Sequence, residues 1–179
     1  MDVPSIRTDR LELVSMSMAF MRALVAHDIE AASGEIGAEA PPGMPDDLEH
    51  FLGYRIPDLA ADPSIQPWLG RAMVWTHPDG RRQVIGTIGF HGPPGEGARL
   101  EIGYSVEPGF RRRGIASEAV HALLAWAGSQ GIHRFRASVA PGNDASLAII
   151  AGLGFRQVGS QMDEIDGLEL VFELDRPAP

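Results

Sequence analysis

Residues Glu101 to Ser117 read EIGYSVEPGFRRRGIAS. This stretch predicts a strand, a turn at Pro108 and Gly109, and a helix that begins near Ile115, with three arginines and a glycine just before the helix. The first N–H groups of a helix have no partner within it, and the helix dipole adds positive charge there. A basic, glycine-containing turn at that position favours phosphate binding. The stretch therefore predicts that the pyrophosphate of a nucleotide-like cofactor binds at the start of this helix.

The composition is typical of a single folded domain. The chain has 179 residues, of which 44% are hydrophobic and 22% are charged, and this is enough for one sizeable core. Its net charge of −9 argues against nucleic acid as the main partner and suits a cationic substrate, such as an amine or a basic peptide. The absence of cysteine excludes disulfides, thiolate metal ligands and a thiol nucleophile.

Targeting signals and several common site motifs are absent from the sequence. The segment MDVPSIRTDRLELV lacks the pattern of a signal peptide, and no apolar run approaches the ~20 residues that span a membrane. There is no H-x-x-x-H or carboxylate–histidine metal cluster, no G-x-x-x-x-G-K-[ST] loop and no G-x-S-x-G turn. We therefore expect a cytoplasmic protein with no metal, no membrane and no nucleic-acid partner.

The start of the chain predicts a strand followed by a helix. Arg10 to Val14 alternates between apolar and polar residues as a strand does, and Ser17 is a suitable cap for a helix from Met18 to about His27. The next segment, Ala31 to Pro45, is rich in Gly, Ala and Pro and predicts mostly loop.

A second helix is predicted after this loop. Asp46 or Asp47 can cap it, and Pro57 inside its apolar pattern predicts an end or a kink near Arg55. This first third of the chain has no sharp chemical signature. It is either structural covering for a sheet or a variable wall of a substrate site.

The remaining two thirds predict a mixed sheet. A turn at Asp79-Gly80 predicts a hairpin, and Arg99 to Val106 predicts a third antiparallel strand. A broad apolar face from Ile115 to Ala127 marks the clearest helix, and Arg134 to Val139 predicts the next strand. A strand, a helix and a strand in this order imply a parallel pair with a right-handed crossover. With a short helix and two final strands joined at Asp166-Gly167, the order is βααβββαβαββ, a mixed α/β domain.

Three segments together resemble one protein family. Residues 111–116, RRRGIA, match the R/Q-x-x-G-x-G/A motif of the GNAT superfamily of N-acetyltransferases. Residues 143–155, NDASLAIIAGLGF, look like that superfamily's second block, N-x-x-S/A ending in G-F. Residues 6–13, IRTDRLEL, are similar to the start of the ribosomal-protein-acetylating subgroup called RimJ/RimL-like. The resemblance runs from Ile6 to about Leu174, within one domain that spans residues 1–179.

The resemblance implies a fold and a cofactor. The fold is GNAT-like: a mixed, mostly antiparallel sheet with a central pair of parallel strands that splay apart, and helices on both faces. The cofactor is acetyl-CoA, with its pantetheine arm in the gap between Gly103–Val106 and Arg136–Val139. The residues implied to bind it are Tyr104, Ser105, Val106, Arg111, Arg112, Arg113, Gly114, Ile115, Ala116, Asn143 and Ser146. For the three arginines, the alternative is an ordinary solvated basic turn.

The implied reaction is attack of a neutral amine on the thioester carbonyl. It needs a base for the amine proton and a donor for the oxyanion, which we expect near Val106. The base candidates are Glu101, on the strand that enters the site, and His91, at the end of the preceding strand. The alternatives are an exposed or ion-paired strand carboxylate for Glu101 and an incidental loop histidine for His91.

The leaving-group side departs from many relatives. They carry a tyrosine seven residues after the asparagine of the second block, and here that position is Ile150. The RimJ/RimL-like resemblance implies instead that Ser146 lies near the CoA sulfur and donates a hydrogen bond to the thiolate. Ser146 can also be an ordinary first-turn residue, and Asn143 can be a pure helix cap. A cap is compatible with a cofactor contact.

The acceptor stays open at this point. The resemblance implies a primary amine, either a protein N-terminus or a small molecule, and it is compatible with a homodimer. The competing hypothesis is a non-catalytic acyl-CoA-binding module with the same fold.

Overall fold

The computed structural model describes residues 3–95, 97–163 and 167–177. Within these residues the chain forms eight strands and six α-helices. The strands are β1 (Ile6–Arg7), β2 (Leu11–Ser15), β3 (Arg71–Thr76), β4 (Arg82–Phe90), β5 (Arg99–Val106), β6 (Arg134–Val139), β7 (Arg156–Asp163) and β8 (Gly167–Asp175). The helices are α1 (Met18–Val25), α2 (Ile29–Ile36), α3 (Met44–Asp47), α4 (Glu49–Ala61), α5 (Ile115–Ser129) and α6 (Asp144–Gly152).

All eight strands form one sheet in the order β1-β2-β3-β4-β5-β6-β8-β7. Its neighbouring strands are antiparallel except β5 and β6, which are parallel. The parallel pairing covers Arg99–Glu101 against Arg134–Arg136. Beyond Glu101, β5 pairs with β4 and β6 pairs with β8, so a gap opens between the two central strands. This confirms the expected mixed sheet with a splayed parallel pair.

Helices cover both faces of the sheet, as expected. On one face, α5 and α6 enclose a core with β4, β5 and β6, where Leu100, Leu123 and Phe135 are almost fully buried. On the other face, α1, α2 and α4 pack over β3 and β4, where Phe20 and Leu52 are buried. Burying a large apolar side chain of this kind stabilises the fold by about 1.5–3 kcal/mol. The first of these cores contains the buried residues of β5 and β6 and holds the two strands on the α5 side.

Helix α2 was missed by the sequence analysis, which predicted mostly loop for Ala31–Pro45. The Asp28 side chain accepts a hydrogen bond from the Ala31 N–H and caps the helix, and Gly37 ends it in the left-handed conformation, with a φ of 66°. Within the helix, the side chains of Ala32 and Ile36 are buried. Packing of these two side chains against the neighbouring helices outweighs the weak helical pattern of the segment.

Helix α4 continues past Pro57 to Ala61, so it does not end near Arg55, which was one of the two predicted outcomes. Pro57 lacks an N–H group and removes one hydrogen bond of the helix. Its ring lies on the exposed side, whereas Leu52 and Leu59 on either side of it are buried. Burial of both ends of the helix therefore offsets the break that the proline favours.

The predicted turns differ in outcome. The hairpin between β3 and β4 is confirmed, and Gly80 in its turn has a φ of 85°, a conformation that glycine adopts without strain. For the turn predicted at Asp166-Gly167, Asp166 lies outside the described residues. Strand β8 begins at Gly167.

Candidate active site

A cavity of about 820 Å³ lies between the splayed part of β5, the start of α5 and the start of α6. Ten of the eleven residues that were expected to bind a cofactor line it: Tyr104, Ser105, Val106, Arg111, Arg112, Gly114, Ile115, Ala116, Asn143 and Ser146. Segments separated by about 40 residues in the sequence thus meet at one cavity. Its volume is within the range of small-molecule and cofactor sites.

The start of α5 forms the floor of this cavity. The first hydrogen bond of the helix runs from the Glu118 N–H to the Gly114 carbonyl. The N–H groups of Ile115, Ala116 and Ser117 therefore have no acceptor within the helix. Gly114 has a φ of 75° and Arg112 has a φ of 59°, and consecutive N–H groups in such a turn create an anion-binding concavity.

Glycine at position 114 has a conformational reason in the structure. A φ of 75° costs an L-residue about 1–2 kcal/mol. Space is not the reason in the free protein, because a Cβ at Gly114 would lie 3.5 Å from Arg10 Nη2, an ordinary contact distance. The close approach of a ligand to this backbone would add a steric reason.

The three arginines have different surroundings. The Nε of Arg111 donates a hydrogen bond to the Val106 carbonyl at 2.8 Å and ties the turn to the end of β5. Arg112 lines the cavity. Arg113 does not line it, and its guanidinium lies over the Phe110 ring, 5.3 Å from the ring centroid.

A set of hydrogen bonds from the N-terminal segment holds the start of α5. Glu118 accepts hydrogen bonds from the Thr8 hydroxyl at 2.5 Å and from the Arg10 Nε at 2.6 Å. An Arg10 Nη1 donates to the carbonyl oxygen of Arg113 at 2.9 Å. Burial raises the pKa of Glu118, but the hydrogen bonds from Thr8 and Arg10 outweigh burial and lower this pKa overall. The sequence analysis missed this arrangement, since about 110 residues separate its partners.

The start of α6 forms the opposite wall. The side chain of Asn143 accepts a hydrogen bond from the Ser146 N–H at 3.1 Å and caps the helix. One turn further along the same face, Ile149 also lines the cavity, although it was not predicted to do so. The i, i+3 spacing from Ser146 was the sequence signal for it. Ile150 faces the core and is fully buried.

Tyr104 joins the large cavity to a smaller one. It lines the 820 Å³ cavity and also a cavity of about 110 Å³. Its hydroxyl oxygen is screened from solvent and makes no well-formed hydrogen bond with the residues that the structure describes. Burial raises the pKa of the Tyr104 phenol, and the Ser146 side chain opposes this rise. The two hydroxyl groups are therefore neighbours, although their geometry falls short of a well-formed hydrogen bond.

The smaller cavity contains His91 and is otherwise mainly apolar. Leu48 and Phe51, from the α3–α4 region, line it together with residues of β4 and β5. A Cβ at Gly103 would lie 2.9 Å from the Nε2 of His91, so the imidazole lies directly over the β5 backbone next to Tyr104.

Glu101 lies outside both cavities. Its Oε1 accepts a hydrogen bond from the Ser138 hydroxyl at 2.5 Å, and its Oε2 lies 4.0 Å from the Nε of Arg136. Gln161 donates a further hydrogen bond to Ser138 at 3.3 Å. The carboxylate is thus part of a polar network on the face of the sheet opposite α5, at the last paired position before β5 and β6 separate.

The described part of the chain contains neither a candidate metal site nor a helix that could span a membrane. No group of three or more His, Cys, Asp or Glu side chains in residues 3–95, 97–163 and 167–177 could hold a metal ion. None of the helices in these ranges is both long and apolar enough to cross a membrane.

Comparison with curated proteins finds relatives that share part of the chain. The uncharacterized N-acetyltransferase YoaA of Bacillus subtilis is 37% identical over 79 residues, which are 44% of this chain and 45% of YoaA. The uncharacterized N-acetyltransferase p20 of Bacillus licheniformis is 37% identical over 82 residues, 45% of this chain and 46% of p20. The matches thus cover less than half the length of these relatives.

Solved structures share the fold over nearly the whole chain. The microcin C7 self-immunity acetyltransferase MccE, solved with acetyl-CoA and AMP, has a TM-score of 0.64, 18% identity and 94% coverage of both chains. The ribosomal-protein-S5-alanine acetyltransferase of Vibrio fischeri has a TM-score of 0.63, 16% identity and 98% coverage of both chains. At these identities the likeness concerns the fold alone.

A family model covers most of the chain. The model described as acetyltransferase (GNAT) domain matches residues 21–156, a range that contains the start of α5, the start of α6 and Tyr104. This match agrees with the expected enzyme class, an N-acetyltransferase, and the curated relatives that share part of the chain carry that name. The expected cosubstrate, acetyl-CoA, is the one bound in the MccE structure. The chain belongs to the GNAT family of acetyltransferases.

Proposed function

We propose that the protein transfers the acetyl group of acetyl-CoA to a primary amine by direct attack within a ternary complex. The observation that carries this proposal is the 820 Å³ cavity, which runs from the unpaired N–H groups of α5 to the Tyr104–Ser146 pair in the gap beside β5. One end suits an anion, and the other end carries the partly buried side chains of Tyr104 and Ser146. A phosphate-bearing thioester needs both environments.

The geometry supports one orientation of the cofactor. The pyrophosphate binds the N–H groups of Ile115–Ser117, and Arg111 and Arg112 add positive charge at the same end. The pantetheine arm follows Tyr104–Val106, where β5 has no partner on the β6 side. The thioester then lies near Tyr104 and Ser146. Arg113 is better placed for contact with an exposed part of the nucleotide than with the pyrophosphate.

The smaller cavity supports an acceptor site on the other side of Tyr104. Its apolar lining from α3–α4 and β4 surrounds the imidazole of His91. A histidine imidazole can accept the proton that the acceptor amine loses, directly or through water. Since Glu101 is engaged by Ser138 and Arg136, we assign the base to His91. Glu101 helps to hold the edge of the gap.

The acceptor class that we propose is a protein N-terminal amine or a small amine. The IRTDRLEL start and the fold of the Vibrio fischeri ribosomal-protein acetyltransferase support the RimJ/RimL-like subgroup and hence a protein N-terminus. The net charge of −9 favours a cationic acceptor of either kind.

Release of free CoA from acetyl-CoA, measured with a panel of amines and N-terminal peptides, tests the proposal. We expect turnover with at least one primary amine and none with its N-acetylated form. Acetyl-CoA binding by calorimetry without turnover on any acceptor would instead favour a non-catalytic acyl-CoA-binding module. Absence of acetyl-CoA binding would refute both ideas.

A further inference from the structure

The hydroxyl of Tyr104 is the feature of the site that the assignments above leave unexplained. Its oxygen is buried and unpaired among the residues that the structure describes. A buried hydroxyl without a partner destabilises a protein. Tyr104 is one of the residues that line the cavity, and a ligand atom that packs against its hydroxyl would supply the missing partner.

The position of Tyr104 restricts which ligand atom this is. The residue lies in the part of β5 that has separated from β6, and it faces Ser146 in the first turn of α6. It also borders the smaller cavity that contains His91. The reacting thioester must lie where the cofactor cavity and the acceptor cavity meet, and Tyr104 is the residue that lines both.

Helix α6 supplies no phenol of its own. Many proteins that this chain resembles carry a tyrosine at the position of Ile150. Here Ile150 is fully buried in the core. Ser146 lines the cavity, but a serine hydroxyl is too weak an acid to protonate a thiolate alone. A phenol has an ordinary pKa near 10, which is much closer to that of a thiol.

We propose that Tyr104 is a catalytic residue that donates its hydroxyl proton to the CoA sulfur as the thioester breaks, with Ser146 orienting the phenol. This inference rests on the proposed function. The amine nitrogen forms a bond to the carbonyl carbon, the carbon–sulfur bond breaks, and its electron pair passes to sulfur. The phenol proton moves to the sulfur, the tyrosinate regains a proton from solvent, and the proton lost by the amine goes to His91 or water.

The surroundings of Tyr104 favour this role. Burial raises the pKa of the phenol, which keeps the hydroxyl neutral and able to donate, and the Ser146 side chain opposes the rise and so limits the loss of acidity. A donor in a partly dehydrated site stabilises a developing negative charge without reorganisation of solvent.

Tyr104→Phe tests the role in turnover, because it removes only the hydroxyl and keeps the ring. We expect kcat to fall about 100-fold, the lower end of the range for general acid catalysis, with little change in the affinity for acetyl-CoA. The matched control is Tyr54→Phe, since Tyr54 is the other of the two tyrosines and is 62% exposed. A kcat for Tyr104→Phe within threefold of the control would overturn the proposal.

A second measurement needs no acceptor. The ultraviolet absorbance of thiolate, followed against pH, reports the acidity of the thiol of enzyme-bound CoA. A donor to the thiolate makes that thiol more acidic, so we expect it to be about tenfold less acidic in Tyr104→Phe. Unchanged acidity would overturn the proposal.

The two measurements separate the failure of this inference from the failure of the proposed function. If the wild-type protein turns over no amine, the proposed function fails, and the titration of bound CoA still decides whether Tyr104 faces the sulfur. Thermal unfolding of Tyr104→Phe gives the structural comparison. Because the hydroxyl that is lost has no partner, the Tm of Tyr104→Phe should equal that of the wild type or be slightly higher. A lower Tm together with unchanged kcat and unchanged thiol acidity would show that the role of the Tyr104 hydroxyl is purely structural.

Discussion

Replacement of Gly114 by glutamate should weaken acetyl-CoA binding strongly. The new carboxylate would stand at the N-cap of α5, beside the N–H groups that we assign to the pyrophosphate. Two like charges about 5 Å apart repel by about 3 kcal/mol at the effective dielectric of a protein surface. Salt screening and attraction to Arg10, whose Nη2 would lie 3.5 Å from the new Cβ, reduce this to about 2 kcal/mol. The dissociation constant should therefore rise about 30-fold.

The structure offers a matched control for this substitution. Gly80 has a φ of 85°, close to the 75° of Gly114, and nothing lies within 4 Å of a Cβ built on it. Gly80→Glu thus adds the same charge and a similar backbone strain of about 1–2 kcal/mol in a hairpin turn that is not part of the cavity lining. Gly114→Gln adds the bulk without the charge and separates the two effects.

Calorimetric titration with acetyl-CoA measures the affinity of all four proteins. We expect Gly80→Glu to bind as the wild type does, Gly114→Gln to bind more weakly, and Gly114→Glu to bind most weakly. Urea unfolding should show similar losses of stability for the two glutamate variants, because both replace a glycine of positive φ. An affinity of Gly114→Glu equal to that of Gly80→Glu would refute the placement of the phosphates at the start of α5.

Three further predictions concern the supports of the site. Glu118→Gln should lower the free energy of unfolding by about 2 kcal/mol at pH 7, since the pKa of Glu118 is lowered in the folded state. The stabilisation by the Glu118 carboxylate is present above the unfolded-state pKa and is lost as the pH falls through the folded-state pKa. The free energies of unfolding of the variant and the wild type, measured with urea, should therefore converge in acid. Asn143→Ala should lose about 1 kcal/mol of stability through the cap of α6, and Asn143→Asp should restore it; equal stability of all three proteins in thermal unfolding would contradict this role. His91→Gln should lower kcat about 100-fold without weakening acetyl-CoA binding. The control His121→Gln, on the exposed side of α5, should retain wild-type kinetics.

Much of the sheet could be predicted because its signals are local. The Asp79-Gly80 turn, the apolar face of α5 and the strand at Arg134–Val139 each follow from a short stretch of sequence. Helix α2 could not be predicted in this way, since its stability comes from Ala32 and Ile36 packing against other helices. Tertiary contacts decide such segments, and periodicity does not report them.

A buried charge was equally inaccessible to sequence reasoning. Arg71 begins β3 and is 1% exposed, and burial lowers its pKa to about 10. Its guanidinium donates to the carbonyl oxygens of Pro4, Leu13 and Pro67 and lies over the Trp126 ring. Of these partners only Pro67 is close to Arg71 in the sequence, whereas Pro4, Leu13 and Trp126 are distant, so no local pattern marks the arginine as internal.

The part of the candidate site that lies in the two sequence motifs could be predicted. The motifs at residues 111–116 and 143–155 place most of the cavity lining, but they do not reveal the orientation of side chains that face each other across the cavity. Tyr104 was expected only as a cofactor contact, and its buried hydroxyl beside Ser146 emerges from the meeting of β5 and α6. The cytoplasmic location and a homodimer remain predictions.

The geometry of the gap explains why one strand can serve both substrates. Pairing between β5 and β6 ends at Glu101, so the following residues of β5 are bonded only on the β4 side. Their free edge is available to the pantetheine arm, while the backbone at Gly103 lies beneath His91 in the acceptor cavity. The separation of the strands begins where Glu101 binds Ser138 of β6. A cofactor held at the start of α5 and extended along this edge reaches the acceptor at Tyr104. In the binding mode that we propose, the backbone of β5 therefore locates the reacting carbonyl, and the side chains around it provide proton transfer.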